Sequence, residues 1–551
     1  MMKRILVLAS AAALLAAVTF LAQGRGQGPQ RQAPDPAVTN DQLLNTAKAP
    51  ENWLMYGGSY MNQRYSLLNQ ITPANVKDLE LKWVFQSRSL EKHEVTPLVV
   101  NGVMYTIQSP NDIVALDAVT GKTIWNYSHK PDKAAHNCCG NLTRGLAILG
   151  DKLFLAAYDA RMIAIDAKTG KELWNTEAAD PKQGYAFTVA PLVIKDKVIA
   201  GTAGGEFGVR GFIAAWDVNT GKEVWRFNTI PGPGEPGHET WSGDSWMHGG
   251  APIWVTGSYD PDLNLTYWGT GNPGPDWDGD ARLGDNLYSC SVIALNPDTG
   301  KLQWHYQFSP HNEFDWDSTQ TPVLADIEWQ GRNRKVMLWA NRSGMYYVLD
   351  RISGEFMKGQ PFVKTNWATG FDRAGRPIFA PGIVPTKQGT LVYPGNQGGT
   401  NWYPPSFSPR TGLFYIPAWE NSSSTYVKGE APPEFHDGQT FSGPFPKGGA
   451  TGEDEYSAVR AIDPKTGEKK WDFRQPVRQT EAGILTTASD LLFSGARDGT
   501  FYALDARDGK LLWQTSLGPS VAAGPMSYSV NGKQYLTIMV GSSLFTFGLR
   551  Q

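Results

Sequence analysis

Short runs of alternating apolar and polar residues recur along the chain in one fixed pattern. Each run ends in Asp or Asn, a turn of the Thr-Gly-Lys type follows, and a second short run usually ends in tryptophan. Glycine supplies the positive φ of a tight hairpin, and the Asp carboxylate accepts hydrogen bonds from the turn backbone. The pattern therefore predicts a series of β-hairpins. The clear copies are IVALDAVTGKTIW (113–125), MIAIDAKTGKELW (162–174), FIAAWDVNTGKEVW (212–225), SVIALNPDTGKLQW (291–304), VRAIDPKTGEKKW (459–471) and FYALDARDGKLLW (501–513).

The spacing of the copies indicates how the hairpins combine. Asp117, Asp166 and Asp217 are separated by about the length of one four-stranded sheet, and such a period is typical of a propeller or solenoid. A weaker copy at 345–357 ends in Met357 instead of tryptophan. The gap that follows it has room for one more degenerate copy, for which SPRTGLFYIPAW (408–419) is the best candidate.

These copies predict an all-β fold, an eight-bladed β-propeller. The tryptophan that ends each copy is expected to pack between neighbouring blades as a large apolar wedge. The segments LKWVFQ (81–86) and SLFTFGL (543–549) are expected to pair and to close the ring, because closure removes exposed sheet edges.

The N-terminus has the pattern of a secretory signal peptide. Lys3 and Arg4 precede an apolar run over 5–22, which small residues follow. We predict a signal peptide over 1–24, a single domain over 25–551, and export to the periplasm. An uncleaved membrane anchor is the alternative interpretation of the same run. No other stretch is long and apolar enough to suggest stable membrane insertion.

Charge and composition exclude several classes of function. The formal net charge is −3, and no basic cluster of the kind that binds phosphate backbones is present, so nucleic acid is not an expected partner. The sequence contains no C-x-x-C-H motif, so we expect no covalently attached c-type haem.

Two of the three cysteines are adjacent, in AHNCCGNLTR (135–144). Disulfides prefer Cα atoms about 4.4–6.8 Å apart, whereas neighbouring Cα atoms are about 3.8 Å apart across a trans peptide. A bond between Cys138 and Cys139 would therefore form a strained, rigid ring. The residues alone also allow two free thiols, or a bond from one of them to Cys290.

Several longer motifs resemble the pyrroloquinoline quinone (PQQ) dependent alcohol dehydrogenases. The resemblance covers roughly 45–550 and implies a quinoprotein that oxidises a small primary alcohol to the aldehyde. It also implies PQQ as cofactor, a soluble c-type cytochrome as electron acceptor and, often in this family, a homodimer. The motifs are HEVTPLVV (93–100), NCCGNLTRG (137–145), TVAPLVIKDKVIAGTAGGEFGVRG (188–211), WMHGGAPIW (246–254), GTGNPGPDW (269–277), HNEFDWD (311–317) and ANRSG (340–344).

The resemblance assigns the residues that hold the cofactor. Cys138 and Cys139 would form a vicinal disulfide against one face of PQQ, and Trp254 would lie on the opposite face, with Trp246 as the second choice. Ala203 stands where the family often has Ser, which removes one side-chain hydrogen bond. The residues implied around the rim are Glu94, Arg144, Thr188, Ala203, Gly204, Gly205, Arg342, Asn401 and Trp402.

The resemblance also implies one metal ion, held by Glu206, Asn272 and Asp315, with Asp315 as the catalytic base and Arg342 near the reactive quinone oxygens. All three ligands are oxygen donors, as hard cations require. In an extended segment Asp317 would face the same way as Asp315. Members of the family that use lanthanides carry Asp at this second position, so we expect a lanthanide(III) ion, with Ca²⁺ as the alternative.

Two other functions fit the repeat. One is a non-catalytic propeller that acts as a scaffold in envelope assembly, since such proteins share the repeat. They lack the cysteine pair and the acidic residues, however, and this chain has both. The other is a quinoprotein that acts on sugars or aldehydes.

Overall fold

The computed structural model describes residues 33–449 and 454–550 of the chain. Strands dominate these ranges, and the helices are short. The helical segments are the α-helix Asn40–Leu44 and the 3₁₀ helices Thr46–Lys48, Val76–Asp78, Pro181–Gln183, Gly205–Phe207, His238–Thr240, Ser245–His248 and Gly279–Arg282. The all-β fold class predicted from the sequence is therefore correct.

The described ranges contain eight sheets of four or five strands, which we number 1 to 8 along the chain. The first four sheets consist of Leu98–Val100, Val103–Gln108, Asp112–Asp117 and Thr123–Tyr127 (sheet 1); Ala147–Leu149, Lys152–Ala157, Arg161–Asp166 and Glu172–Glu177 (sheet 2); Leu192–Ile194, Lys197–Gly201, Phe212–Asp217 and Glu223–Asn228 (sheet 3); and Ser258–Asp260, Leu265–Gly269, Ser291–Leu295 and Leu302–Gln307 (sheet 4).

The other four sheets include the first and the last strands of the described ranges. They consist of Val323–Trp329, Arg332–Ala340, Met345–Asp350 and Phe356–Pro361 (sheet 5); Ser406–Ser408, Leu413–Glu420, Tyr456–Ile462 and Lys469–Arg474 (sheet 6); Tyr65–Ser66, Leu485–Thr487, Leu491–Gly495, Thr500–Asp505 and Leu511–Ser516 (sheet 7); and Leu79–Gln86, Met526–Val530, Lys533–Val540 and Ser543–Leu549 (sheet 8). Smaller pairings join Ala368–Phe371 to Pro377–Phe379, and Ser424–Tyr426 to Thr390–Val392 and Lys447–Gly448.

Two sequence predictions about these sheets are confirmed. The degenerate copy at 408–419 forms a hairpin, since Ser406–Ser408 pairs with Leu413–Glu420 in sheet 6. Leu79–Gln86 pairs antiparallel with Ser543–Leu549, with Leu81 opposite Phe547, as predicted for these two segments.

The tryptophan of one repeat packs on the turn glycine of the next sheet. A methyl group at Gly121 would lie 2.6 Å from the ring of Trp83, and one at Gly170 would lie 2.6 Å from the ring of Trp125. The indole N–H of Trp125 donates to the carbonyl of Ala167 at 3.1 Å. The same contact joins Trp174 to Gly221, Trp225 to Gly300, Trp304 to Gly354, and Trp471 to Gly509. Gly467, which follows the copy without tryptophan, faces Gln360 instead.

Large apolar clusters lie between successive sheets. One cluster joins residues of sheets 1, 2 and 3, and a second joins sheet 8 to sheets 7 and 1. Burial of this apolar area between sheets is the main stabilising contribution to the fold.

The predicted signal peptide, 1–24, lies outside the described residues. None of the helices in the described ranges has the length and apolar character needed to cross a bilayer.

Candidate active site

Most of the residues that the sequence motifs predicted for the site line one cavity of about 330 Å³. Two predicted residues, Gly205 and Asn272, do not line it. They lie close together, since a methyl group at Gly205 would be 2.8 Å from Asn272 Oδ1. The predicted residues that line the cavity are Glu94, Cys138, Cys139, Arg144, Thr188, Ala203, Gly204, Glu206, Trp254, Asp315, Asp317, Arg342, Asn401 and Trp402.

The repeat explains why distant motifs meet. Glu94, Arg144, Thr188, Trp254 and Asn401 each stand a few residues before the first strand of a sheet. Equivalent positions in a repeat architecture face the same way, so the segments that lead into successive sheets converge. The cavity is thus assembled largely from the segments that lead into the sheets, and loops between strands add further residues such as Glu206, Asp276 and Arg342. None of these segments forms the site alone.

Arg144 is a fixed cation at one end of the cavity. Its Nη2 lies 2.6 Å from Glu94 Oε2, and its Nη1 donates to Thr188 Oγ1 at 3.0 Å and to the carbonyl of Trp254 at 3.1 Å. The guanidinium carbon is 4.7 Å from the ring centroid of Trp254 and 4.8 Å from that of Trp402. A planar cation held between two indoles suits recognition of a carboxylate.

Lys92 extends this charged end and was not predicted. Its Nζ lies 3.0 Å from Glu94 Oε1 and 3.0 Å from Glu481 Oε2. Lys92 stands one residue before the motif HEVTPLVV, and Glu481 lies in a segment without a motif. No sequence signal pointed to either residue, because their proximity depends on how the first and seventh sheets are placed.

Arg342 occupies the other end, where it joins both acidic residues of the HNEFDWD motif. Its Nη2 donates to Asp315 Oδ2 at 2.8 Å and its Nη1 to Asp317 Oδ2 at 2.9 Å. Asp317 also accepts hydrogen bonds from Trp254 Nε1 at 3.2 Å and from the backbone N–H of Asn272 at 2.5 Å. The two carboxylates therefore share one guanidinium, although the segment is not extended as the sequence analysis assumed, since Asp315 has a φ of 59°.

Burial and like charge dominate the electrostatics around Arg342. Burial raises the pKa of Asp315 well above its usual range, although Arg342 opposes the shift. Burial also raises the pKa of Asp317 and of Glu206, the latter with a contribution from Asp317. Asp315 has a φ of 59°, a left-handed conformation that non-glycine residues adopt rarely and that recurs at functional sites.

Several oxygen donors near these carboxylates lack partners. Asn272 Oδ1 and both carboxylate oxygens of Asp276 are buried and accept no hydrogen bond from any described residue. Buried polar atoms are nearly always paired, so unpaired oxygens beside Asp315 and Asp317 fit a site that binds a cation. Oxygen donors of this type suit a hard metal ion.

The sequence analysis missed Asp276, although it lies inside the quoted motif GTGNPGPDW. An acidic residue between Pro275 and Trp277, in an otherwise apolar and glycine-rich stretch, was the available signal. Asp276 is 1 % exposed and lines the cavity.

The adjacent cysteines are separate thiols in this structure. All three cysteines lie in the described ranges, and none is joined to another. One thiol atom each of Cys138 and Cys139 and a carboxylate oxygen of Glu206 lie within 4.8 Å of one another. Cys290 is buried, with its Sγ 3.8 Å from the carbonyl of Gly271. The pKa of the Cys138 thiol is raised well above its usual range, first by its hydrogen bond to Cys139 and then by burial.

Trp254 lies in the cavity, whereas Trp246 does not line it. Trp246 packs instead on the small cluster of Ile230, Trp241 and Ala251. Trp254, the tryptophan predicted first, therefore lies beside Arg144 and Asp317, in the same cavity as the cysteine pair.

A loop covers one side of the cavity. The backbone N–H of Phe441 donates to the carbonyl of Glu206 at 2.6 Å, and the backbone N–H of Trp277 donates to the carbonyl of Ser442 at 2.7 Å. The ring of Phe445 lies 4.9 Å from that of Trp277, and both rings line the cavity. Aromatic side chains thus border the acidic end.

Comparison with known proteins identifies the family of the chain. Residues 53–359 and 477–536 match the family model "PQQ: Glucose/ethanol/alcohol dehydrogenase, beta-propeller domain". The fold and cavity therefore define a β-propeller enzyme of the quinoprotein class. The chain belongs to the PQQ-dependent alcohol dehydrogenase family.

Individual relatives match over most of the chain. A lanthanide-dependent methanol dehydrogenase from Methylacidiphilum fumariolicum (strain SolV) is 39% identical, over 92% of this chain and 87% of its own length. A 1-butanol dehydrogenase (cytochrome c) from Thauera butanivorans is 38% identical, over 89% of this chain and 74% of its own length. The solved structure of a europium-containing methanol dehydrogenase superposes with a TM-score of 0.87 at 35% identity, covering 92% of this chain and 100% of the other.

Proposed function

We propose that this alcohol dehydrogenase is a periplasmic quinoprotein that oxidises a small primary alcohol to the aldehyde and passes electrons to a soluble c-type cytochrome. The observation that supports the proposal most directly is that Arg342 forms ion pairs with both Asp315 and Asp317 inside the cavity. A relative whose name includes cytochrome c supports the choice of acceptor. Periplasmic location rests on the signal-peptide pattern over 1–24.

The residues around the cavity suit PQQ and a metal ion. Arg144, Thr188 and Glu94 would bind polar groups on the cofactor rim, together with Ala203, Gly204, Asn401 and Trp402. Trp254 would stack on one face of the ring, and a Cys138–Cys139 disulfide would lie against the other. Gly205, which the resemblance also places beside the cofactor, does not line the cavity.

Glu206, Asn272, Asp315 and Asp317 would hold the metal. When bound, PQQ supplies the two-electron acceptor and the metal ion supplies Lewis acidity. Asp315 Oδ2 is the group that would accept the hydroxyl proton of the alcohol, and Arg342 Nη2 holds that oxygen in place.

Asp317 indicates which metal the site prefers. A second carboxylate beside Asp315 adds one more anionic oxygen, which favours a trivalent over a divalent ion. The named lanthanide-dependent and europium-containing relatives support this choice. We propose a lanthanide(III) ion, with Ca²⁺ as the alternative ion that binds more weakly at the same site.

The finer architecture is also part of the proposal. We interpret sheets 1 to 8 as the blades of an eight-bladed propeller, closed through sheet 8 and locked by the tryptophan–glycine contacts. We treat residues 25–551 as one domain, and we propose a homodimer by analogy with the family.

Reconstitution tests the function and the metal together. Protein loaded with PQQ and La³⁺ should gain a PQQ absorption band and oxidise primary alcohols with a dye acceptor, and Ca²⁺ should support less activity. Asp317→Ala should lose the activity with La³⁺. Equal activity with Ca²⁺, or full activity of Asp317→Ala with La³⁺, would contradict the metal assignment. A missing PQQ band would contradict the cofactor assignment.

A further inference from the structure

Asp276 is the buried carboxylate of this site for which the structure gives no partner. It is 1 % exposed, it lines the cavity, and neither of its carboxylate oxygens accepts a hydrogen bond from a described residue. Arg282 lies nearby, but its guanidinium donates to the carbonyls of Pro275, Asp276 and Asn312 and to Asn286 Oδ1. No hydrogen bond links this guanidinium to the Asp276 carboxylate, and its positive charge is shared with Glu313 and Asp278, so it compensates Asp276 only in part.

The surroundings of Asp276 are strongly acidic. Asp315, Asp317 and Glu206 line the same cavity, and each repels the ionised form of Asp276. Arg342 forms ion pairs with two of these four carboxylates, Asp315 and Asp317. Four carboxylates therefore surround the guanidinium of Arg342. Apart from the shared charge of Arg282, the fully ionised group carries three more negative than positive charges.

The other end of the cavity does not supply the missing charge. There Arg144 and Lys92 are paired with Glu94 and Glu481, so the positive and negative charges at that end are equal in number. An isolated buried charge is costly unless a cation or hydrogen-bond donors compensate it. The acidic end, with Asp276 as its unpaired member, requires a cation from outside the chain.

From this geometry we propose that Asp276 is an additional carboxylate ligand of the metal ion, and that it makes the site selective for trivalent over divalent cations. The inference rests on the proposed metal site formed by Glu206, Asn272, Asp315 and Asp317. A trivalent ion matches this excess of three negative charges, whereas a divalent ion leaves one of them.

Terbium(III) binding gives a test that does not depend on turnover. Trp254 and Trp277 line the cavity and can sensitise Tb³⁺ luminescence, so the full chain reconstituted with PQQ can be titrated directly. Asp276→Asn should bind Tb³⁺ about tenfold more weakly or worse, with a smaller loss for Ca²⁺. Asp280→Asn, which removes an exposed acid of the same segment paired with Lys428, should bind Tb³⁺ like the wild type.

Metal-free protein provides the check on folding. Without metal, Asp276→Asn relieves repulsion among buried carboxylates, so its unfolding temperature should equal or exceed that of the wild type. Addition of Tb³⁺ should then raise the unfolding temperature less than in the wild type.

Asp317→Ala separates failure of this inference from failure of the proposed metal site. If Asp317→Ala loses Tb³⁺ affinity but Asp276→Asn keeps it, the role of Asp276 is wrong and the proposed site stands. If the wild type does not bind Tb³⁺, or Asp317→Ala binds it normally, both are overturned. Unchanged Tb³⁺ affinity in Asp276→Asn with a raised KM for amino alcohols would assign Asp276 to substrate binding and overturn the proposal.

Discussion

Arg342 donates to Asp317 across 2.9 Å within the cavity. The same guanidinium reaches Asp315 at 2.8 Å, so one planar cation holds two buried carboxylates that would otherwise repel each other. The pKa of Arg342 lies above its usual range, because these carboxylates favour its charged form more than burial disfavours it. The residue is therefore a permanent positive charge beside the proposed catalytic base.

Replacement of Arg342 should damage both activity and stability. Arg342→Ala leaves buried carboxylates without their cation, which typically costs about 3–5 kcal/mol of unfolding free energy in metal-free protein. Loss of the group that positions Asp315 should lower kcat roughly a hundredfold. Arg342→Lys should be intermediate in stability, since one ammonium cannot reproduce two parallel hydrogen bonds. Dye-linked turnover and urea unfolding measure the two effects.

Arg351 offers a matched control for Arg342. It is also buried, and it joins Asp260 at 2.7 Å and Asp326 at 2.6 Å outside the cavity. Arg351→Ala should lose stability while its folded fraction keeps the wild-type kcat. If Arg342→Ala retains the wild-type kcat as well, the assignment of Arg342 to the active site is wrong.

Mild reduction should impair turnover far more than folding, if Cys138 and Cys139 are oxidised in the mature enzyme. A bond between adjacent residues closes almost no loop, so it adds little stability through the unfolded chain. Its value lies in a rigid surface for the cofactor, and its loss should cost roughly tenfold in turnover. The Cys138→Ser, Cys139→Ser double variant should unfold near the wild-type temperature and have similarly low activity.

Cys290→Ala is the control for the cysteine pair. Cys290 is buried on a different segment, so activity of this variant should remain sensitive to reduction. Turnover that survives reduction in the wild type would refute a catalytic role for the pair, whatever the cofactor.

His93 should make stability depend on pH. Its Nε2 accepts a hydrogen bond from the backbone N–H of Ser109 at 3.3 Å, so Nδ1 carries the proton and donates to the carbonyl of Glu91 at 2.6 Å. Burial lowers the pKa of His93 below its usual value of 6.5. Below about pH 6.5 the unfolded chain therefore binds a proton that the folded chain does not, and unfolding free energy falls as pH falls.

The size of this effect is bounded. One proton contributes a slope of at most about 1.4 kcal/mol per pH unit, and His93→Gln should remove that share between pH 6.5 and the lowered folded pKa. Urea unfolding at several pH values measures the slope. An identical slope in wild type and His93→Gln would disprove the assignment.

The repeats predict the hairpins of the fold, whereas the motifs predict the residues of the cavity. The hairpins follow from local chemistry, since the turn glycine, the Asp cap and the tryptophan lie within one short segment. The cavity residues followed from family motifs, and nearly all of them meet as expected. Gly205 and Asn272 are the exceptions, since neither lines the cavity.

Lys92, Asp276 and Glu481 show why the remainder could not be predicted. Each becomes relevant only through partners that are distant in sequence, or through the absence of partners. A lysine paired with two glutamates is indistinguishable in sequence from a surface lysine. An aspartate without hydrogen bonds is recognisable only after every neighbouring donor has been placed.

The tryptophan–glycine contacts should contribute measurably to stability. Gly300 has a φ of 70°, and a methyl group there would lie 2.5 Å from the ring of Trp225, whose indole donates to the carbonyl of Pro297 at 2.9 Å. The ring is held by that hydrogen bond and by its neighbours, so it cannot move aside. Gly300→Ala should therefore suffer both backbone strain and a steric clash.

Gly467 isolates the second effect, because its φ is 71° but it faces the flexible side chain of Gln360. Alanine at either position bears the same left-handed strain, and only Gly300→Ala must also displace a packed indole. We expect Gly300→Ala to lose about 1–3 kcal/mol more unfolding free energy than Gly467→Ala, the range typical of an overpacked core. Urea unfolding of the two variants side by side measures the difference. Equal losses would mean that the tryptophan adds nothing beyond the turn itself, and that the docking contact does not lock the sheets together.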